Sequence, residues 1–144
     1  MYTVYLAGEI HSNWREEIIT ACKDYDVIFL TPEYDHTSSD DIGKNVVGDQ
    51  ENDFYNDHVS AKINSIRNHT YIKQADIVVV KFGEKYKQWN AAFDSGYATA
   101  LNKKLIVIHP GEFNHALKEI DAAASAVVKS QSQVVDILKH LIRK

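Results

Sequence analysis

The stretch ADIVVV, residues 75–80, decides the fold. Its run of β-branched apolar residues predicts a strand buried on both faces, because such a strand has no polar side. Two further runs have the same character, YTVYLA at residues 2–7 and LIVIHP at residues 105–110. Shorter signals of this kind are DVIFL at residues 26–30 and AVV at residues 126–128. The sequence therefore predicts five buried strands.

Segments with helical periodicity separate these strands. Ser12 or Asn13 can begin a first helix, whose apolar face contains Trp14, Ile18 and Cys22 at spacings of four residues. Residues 31–52, rich in Pro, Asp, Ser, Gly and Asn, predict a long loop, and a loop of this length in a compact domain is more often functional than idle. The later predicted helices cover residues 53–74, 90–101, 113–123 and 134–142.

Strands that alternate with helices, each strand apolar throughout, predict a parallel sheet covered on both faces. We therefore expect one α/β domain over residues 1–144, a flavodoxin-like three-layer sandwich with a five-stranded parallel sheet in the order 2-1-3-4-5. Ligands of such sheets bind beyond the carboxyl ends of the strands. The loops at residues 8–13, 81–89 and 109–114 should meet there, with residues 31–52 folded over them.

The composition excludes several classes of protein. A net charge of −4 argues against a protein that grips a nucleic acid polymer, since that affinity depends on clustered Lys and Arg. No apolar run is long enough for a membrane span, and no secretory signal is recognisable, so a cytoplasmic location is expected. The single Cys22, the scattered histidines and the absence of phosphate-binding glycine motifs predict neither a metal nor a cofactor.

The stretch DSGYATAL, residues 94–101, begins an otherwise small and apolar segment with a carboxylate. Asp94 falls in the first turns of the predicted helix after strand 3, close to the ligand edge. It either complements the helix dipole or serves as a nucleophile that the dipole holds ionised. Gly96 would permit close approach of backbone or substrate.

Three segments together point to a family. VYLAGEI at residues 4–10, QADIVVV at 74–80 and NAAFDSGYATALNKKLIVI at 90–108 resemble the nucleoside 2-deoxyribosyltransferase superfamily, and more closely its small YtoQ-type branch. The similarity spans nearly the whole chain. The residues that match the superfamily motifs are Tyr5, Ala7, Gly8, Asp76, Gly96 and Ala98.

The resemblance implies roles for carboxylates. Asp94 takes the place of the nucleophilic Glu of the superfamily and is one methylene shorter, while Asp76 is the matched candidate for contacting the base. An acid before the helix is also implied, but Gln88 stands there and Glu84 lies further back. Asp76 can alternatively satisfy backbone N–H groups at a helix-to-strand junction, and Glu84 can be a solvated loop charge.

Other residues are candidates for substrate binding. Glu9, His11 and Arg15 follow strand 1, where a sugar hydroxyl or a phosphate would sit, although Arg15 can also be a solvated helix residue. Tyr86 and Trp89 can stack on a base or pack over the sheet edge. Tyr5 can line the pocket or belong to the core. Gly8, Asn90 and Asn114 complete this set.

The function implied by the resemblance is cleavage or transfer of the N-glycosidic bond of a nucleoside or nucleotide through a carboxylate nucleophile. The alternative is a nucleotide-binding sensor of the same fold without activity, because Asp replaces Glu. The resemblance also implies at least a homodimer, in which Asn114 or His115 reaches toward the pocket of the partner.

Overall fold

The computed structural model describes residues 1–85 and 87–142, and of His36 it describes the backbone alone. A five-stranded parallel sheet has the order β2-β1-β3-β4-β5, as the sequence predicts. Helices connect the strands, and the connection from β2 to β3 crosses β1, which puts β1 between them. The strands are β1 (Tyr2–Gly8), β2 (Val27–Leu30), β3 (Ile77–Lys81), β4 (Lys104–Ile108) and β5 (Ala126–Val128).

Helices cover both faces of the sheet and complete the predicted three layers. On one face Val4, Leu6 and Val79 pack against two helices, α1 and α7. On the other face Val78 and Val80 pack against three helices, α4, α5 and α6. The bounds are α1 (Trp14–Ala21), α2 (His36–Asp40), α3 (Ile42–Val47), α4 (Asp53–Gln74), α5 (Trp89–Ala100), α6 (Lys118–Ala123) and α7 (Gln131–Leu141).

The segment after β2 differs from its prediction as a loop, because α2 and α3 lie within residues 31–52. Both helices are too short to be stable alone, so tertiary contacts hold them. The Ser60 hydroxyl of α4 donates to the carbonyl of Asp40 at 2.8 Å and accepts from the N–H of Gly43 at 2.9 Å. One buried side chain therefore ties the junction of the two short helices to the long one.

Two further expectations are corrected. The predicted helix at residues 113–123 is a 3₁₀ turn at Gly111–Phe113 followed by α6. Gly96 is exposed, and a Cβ there would meet no heavy atom within 4 Å, so Gly96 does not serve a close approach of backbone to backbone.

Gly8 is the glycine whose conformation the sheet requires. It ends β1 with a φ of +111°, a region that favours glycine, and a Cβ there would lie 2.2 Å from the carbonyl oxygen of Lys81. The next residue, Glu9, donates its N–H to that same oxygen at 3.0 Å. The chain can therefore leave β1 toward the ligand edge only because position 8 has no side chain.

We predict opposite effects for two Gly→Ala substitutions. Gly8→Ala should lower the free energy of unfolding by roughly 3 kcal/mol or more, because backbone must move to admit the methyl group. Gly96→Ala, the matched control in an exposed helix, should raise it by about 1 kcal/mol. Urea unfolding followed by circular dichroism measures both. A Gly8→Ala protein as stable as the parent would contradict the close contact.

Candidate active site

Asp94 lies in the second turn of α5, at the edge of the sheet where the strands end. It is half-buried and faces an open cleft with two adjoining compartments of about 410 Å³ and 300 Å³. Compartments of this size suit a small organic ligand. The side chains that line both compartments are Glu33, Ser39, Asn68, Asn90 and Asp94. We call the two compartments together the Asp94 cleft.

Burial dominates the electrostatics of Asp94. Desolvation raises the pKa of its carboxyl to about 6. The expectation that the helix dipole holds this group ionised is therefore wrong in sign, because the dipole acts within the first turn and Asp94 lies beyond it. At neutral pH the protein holds a poorly solvated carboxylate at the floor of a cleft, which is the condition in which a carboxylate is a reactive nucleophile.

Tyr5 belongs to the core and lies close to Asp94. Its side chain is 0% exposed and packs edge-on against Tyr71 at 6.1 Å. Burial raises the pKa of Tyr5, and the negative charge of Asp94 raises it further. The hydroxyl has no hydrogen-bond partner in the described part of the chain, so a neutral donor stands beside the carboxylate.

Arg15 is buried, at 1% exposure, so the alternative of a solvated helix residue is wrong. Its guanidinium donates to the carbonyls of Leu6 at 2.9 Å, Glu9 at 2.7 Å and Gly8 at 3.1 Å. It also lies over the ring of Trp14. These contacts favour a role in shaping the end of β1 rather than a role as a phosphate ligand.

The loop after β1 contributes backbone and shape to the cleft. Gly8, Glu9 and His11 line its larger compartment. The Glu9 carboxylate is buried and accepts from the N–H of His11 at 2.6 Å and from the hydroxyl of Ser12. The ammonium of Lys81 lies 3.9 Å from it. Glu9 therefore fixes the conformation of its own loop.

The segment before and at the start of α5 supplies one wall. Trp89 is 76% exposed and lines the larger compartment, and Asn90 lines both. Tyr86 falls outside the described residues. Asn114 is exposed and does not line the Asp94 cleft as the structure describes it over residues 1–85 and 87–142.

Two predicted catalytic carboxylates lie away from Asp94. Asp76 precedes β3, so it stands at the edge of the sheet opposite the cleft. The five residues of β3 put about 15 Å between the two edges. Its carboxylate accepts from the N–H of Thr3 at 2.9 Å. This bond confirms the alternative, in which Asp76 satisfies a backbone N–H group at a helix-to-strand junction. The prediction that Asp76 contacts the base is wrong. Glu84 is exposed and lines neighbouring depressions instead of the Asp94 cleft.

Sequence reasoning missed the wall that α4 provides. Asn64, Arg67 and Asn68 share one face of that helix and line the smaller compartment. Arg67 donates to Asn64 at 2.9 Å, while its Nε and the Oδ1 of Asn68 are buried without a partner among the described residues. Their spacing of three and four residues was the available signal, but polar residues at that spacing are read as a solvated face. Glu33 was missed because it lay in a predicted loop.

The loop after β4 borders a second depression. His109 is buried, and its Nε2 lies 2.9 Å from Asp121. With Lys81, Lys85 and Lys129 it lines a space of about 370 Å³ that adjoins the Asp94 cleft at Glu9, His11 and Gln88. The predicted meeting of loops at this edge is therefore correct, but the loop after β4 lies beside the Asp94 cleft.

Within residues 1–85 and 87–142, no three His, Cys, Asp or Glu side chains are grouped so that they could hold a metal ion. In the same part of the chain, no helix is long and apolar enough to cross a membrane.

The five-stranded sheet and the carboxylate at its ligand edge define a protein with the nucleoside deoxyribosyltransferase fold. Residues 5–142 match the family model described as nucleoside 2-deoxyribosyltransferase YtoQ, and the chain belongs to this family. It is 43% identical over 142 residues to the uncharacterized protein YtoQ of Bacillus subtilis (strain 168), covering 97% of this chain and 96% of that protein.

Solved structures share the fold at low sequence identity. A 2-deoxyribosyltransferase from Bacillus psychrosaccharolyticus is 18% identical, with a TM-score of 0.59, and the match covers 93% of this chain and 90% of that one. The CMP N-glycosidase BcmB from Clostridium botulinum is 12% identical with a TM-score of 0.59, covering 94% and 97%. A conserved protein from Enterococcus faecalis V583 is 14% identical with a TM-score of 0.63, covering 98% and 99%.

The raised pKa of Asp94 predicts a pH-dependent cost in stability. The folded-state pKa of about 6 exceeds the ordinary value of 3.8, so the folded protein binds the proton more tightly. The stabilisation that proton binding to Asp94 gives the folded protein is therefore greatest below pH 3.8, and it is lost as the pH rises through 6. Asp94→Asn should unfold at a higher temperature than the parent at pH 7.5, with a gain of roughly 1 to 3 kcal/mol.

The difference between Asp94→Asn and the parent should shrink toward pH 4, where both side chains are neutral. Asp136→Asn, an exposed change on α7, is the matched control and should shift the unfolding temperature little at either pH. Calorimetry at both pH values measures this. A stability loss for Asp94→Asn at pH 7.5 would contradict the desolvated carboxylate.

Proposed function

We propose that the protein cleaves or transfers the N-glycosidic bond of a nucleoside or nucleotide, with Asp94 as the nucleophile. The observation that carries this proposal is the half-buried, desolvated carboxylate of Asp94 on the floor of a cleft at the ligand edge. Membership of the family supports the same reaction class. The named activities of two proteins with this fold, a 2-deoxyribosyltransferase and a CMP N-glycosidase, agree with it.

The mechanism follows from the chemistry of the bond. A carboxylate oxygen of Asp94 attacks the anomeric carbon, the bond to the base nitrogen breaks, and a covalent glycosyl-enzyme forms through an oxocarbenium-like transition state. Water or a second base then attacks the same carbon from the vacated side and releases Asp94, so the configuration is retained overall. The partial burial of Asp94 strengthens its attraction to the developing positive charge, because less water screens it.

The walls of the cleft suit the two halves of a nucleoside. The exposed indole of Trp89 offers a face on which a base can stack. Asn68 and Asn90 line the same space, and their amides carry the donor and acceptor groups that a base edge requires. We therefore expect recognition through stacking and amide hydrogen bonds, without a metal or cofactor.

A second candidate function is a nucleotide sensor without catalytic activity. The observation that favours it is the residue type at position 94, because Asp places its carboxylate one methylene nearer the helix than the Glu of the superfamily. Isothermal titration with nucleosides and their monophosphates separates the two functions when combined with a product assay. Tight binding without turnover of any compound would favour the sensor.

We predict that Asp94→Ala and Asp94→Asn lose at least about 1,000-fold in kcat while they remain folded, because each removes the attacking oxygen. The assay is chromatography of free base released from a panel of deoxynucleosides and monophosphates, with and without adenine as acceptor. Asp136→Asn should retain parental activity. In the parent, the pH profile of kcat/KM should have its ascending limb near pH 6, where the Asp94 carboxyl ionises.

Trapping of the intermediate gives a direct test of the nucleophile. A 2-deoxy-2-fluoro nucleoside destabilises the oxocarbenium-like transition states and should leave a mass adduct on the peptide that contains Asp94. An active parent that is labelled at another carboxylate would move the nucleophile elsewhere. An active Asp94→Asn protein would also contradict the mechanism.

We also propose that the protein is at least a homodimer, with Asn114 or His115 directed at the cleft of the partner. Both residues are exposed between the 3₁₀ turn and α6. Beside them runs an apolar groove of about 660 Å³, to which Trp89, Phe113 and Leu117 contribute. Apolar surface of this kind is typical of a contact site.

For the assembly, we predict sedimentation as a dimer or larger at high micromolar concentration. Leu117→Glu places a charge in the groove and should shift the protein toward the monomer, while Asp136→Asn should not. A parent that sediments as a monomer at this concentration would contradict the proposal.

A further inference from the structure

The proposed cleavage needs a proton donor that the sequence did not reveal. When the glycosidic bond breaks, its electron pair moves onto the base, and protonation of the base typically accelerates such a step by 10²- to 10⁴-fold. The position before α5 where a carboxylate is implied holds Gln88, whose Oε1 accepts from the N–H of Gly83 at 2.6 Å. An amide does not donate a proton at neutral pH, so the acid must come from another element.

Few carboxylates line the Asp94 cleft. Besides Asp94 itself, the described lining contains Glu9, Glu33 and Asp40. Glu9 is turned to its own loop by bonds from His11 and Ser12. Asp40 is exposed and lines the larger compartment only. Glu33 is half-buried and lines both compartments, as Asp94 does.

Glu33 and Asp94 reach the cleft from different elements. Glu33 follows β2 by three residues, whereas Asp94 lies in the second turn of α5. Both residues line the larger and the smaller compartment, so a ligand that fills the Asp94 cleft contacts both.

The backbone around Glu33 holds it in place. It follows Pro32, which fixes the local φ angle. Its Oε1 accepts from the N–H of Asp35 at 3.2 Å, and Asp35 in turn caps α2 by accepting from the N–H of Thr37 at 3.2 Å. This bond fixes the position of one carboxyl oxygen of Glu33.

We propose that Glu33 is the general acid of this site, an inference that rests on the proposed function. As Asp94 forms its bond to the anomeric carbon, the proton of Glu33 passes to the departing base, and Glu33 becomes a carboxylate. In the second step this carboxylate takes a proton from water or from the acceptor base, whose oxygen or nitrogen bonds to the anomeric carbon. Asp94 leaves as a carboxylate, and Glu33 is again protonated.

The test compares two leaving groups. A purine deoxynucleoside needs protonation of its base, whereas its 7-methylated derivative carries a positive charge and leaves as a neutral base without a proton. Glu33→Gln should lose at least about 100-fold in kcat on the first substrate and less than about 10-fold on the second. Asp94→Asn should lose activity on both, and Glu51→Gln, an exposed change in the same segment, on neither.

A structural role for Glu33 would give a different result. Loss of activity on both substrates alike, or on neither, would overturn the assignment, as would a selective loss in Asp40→Asn instead. Glu33→Asp, which keeps an acid on a shorter arm, should fall between the parent and Glu33→Gln, and it replaces that variant should Glu33→Gln not fold. A parent that cleaves neither substrate, nor any nucleoside or monophosphate of the panel, overturns the proposed function itself.

Discussion

The guanidinium of Arg15 is the interaction on which the cleft depends. It is buried against Trp14 and donates to three carbonyl oxygens at the end of β1. A neutral replacement would remove the guanidinium donors from these carbonyls, at a cost of about 1 to 3 kcal/mol for each one left buried and unpaired. The loop after β1, which lines the larger compartment, is therefore held by one side chain of the first helix.

Two buried or half-buried polar groups, Asp94 and Tyr5, lower the stability of the fold near the cleft. Asp94 and Tyr5 are polar groups held where water is scarce, and burial raises the pKa of both. Such an arrangement is unfavourable for folding and persists because the centre of the sheet beneath it, in β1, β3 and β4, is made largely of buried apolar residues. The core thus provides the stability that a desolvated carboxylate removes.

The sequence predicted the sheet and the position of Asp94 at its ligand edge. It did not predict the residues that form the walls of the cleft. The period of the strands is a local signal, so runs such as residues 75–80 identified the order of the sheet. The role predicted for Asp76 was wrong because the motif match does not show at which end of the strand the side chain lies. Arg15 was misread because residue type suggests exposure, while its three acceptors are backbone atoms. Residues 36–47 lack apolar periodicity, and contacts with Ser60 make them helical.

Ser60 attaches the junction of α2 and α3 to α4, so Asp94 and several other residues that line the cleft stand on separate parts of the fold. Asp94 stands on the packed scaffold of β3 and α5, while Glu33, Ser39 and Asp40 stand on a segment that Ser60 and Asn64 bind to α4. Changes between β2 and α4 that leave Glu33 in place can therefore alter the shape of the cleft without disturbing the sheet. In evolutionary terms, most of this segment is free to vary while the sheet is constrained by its own packing.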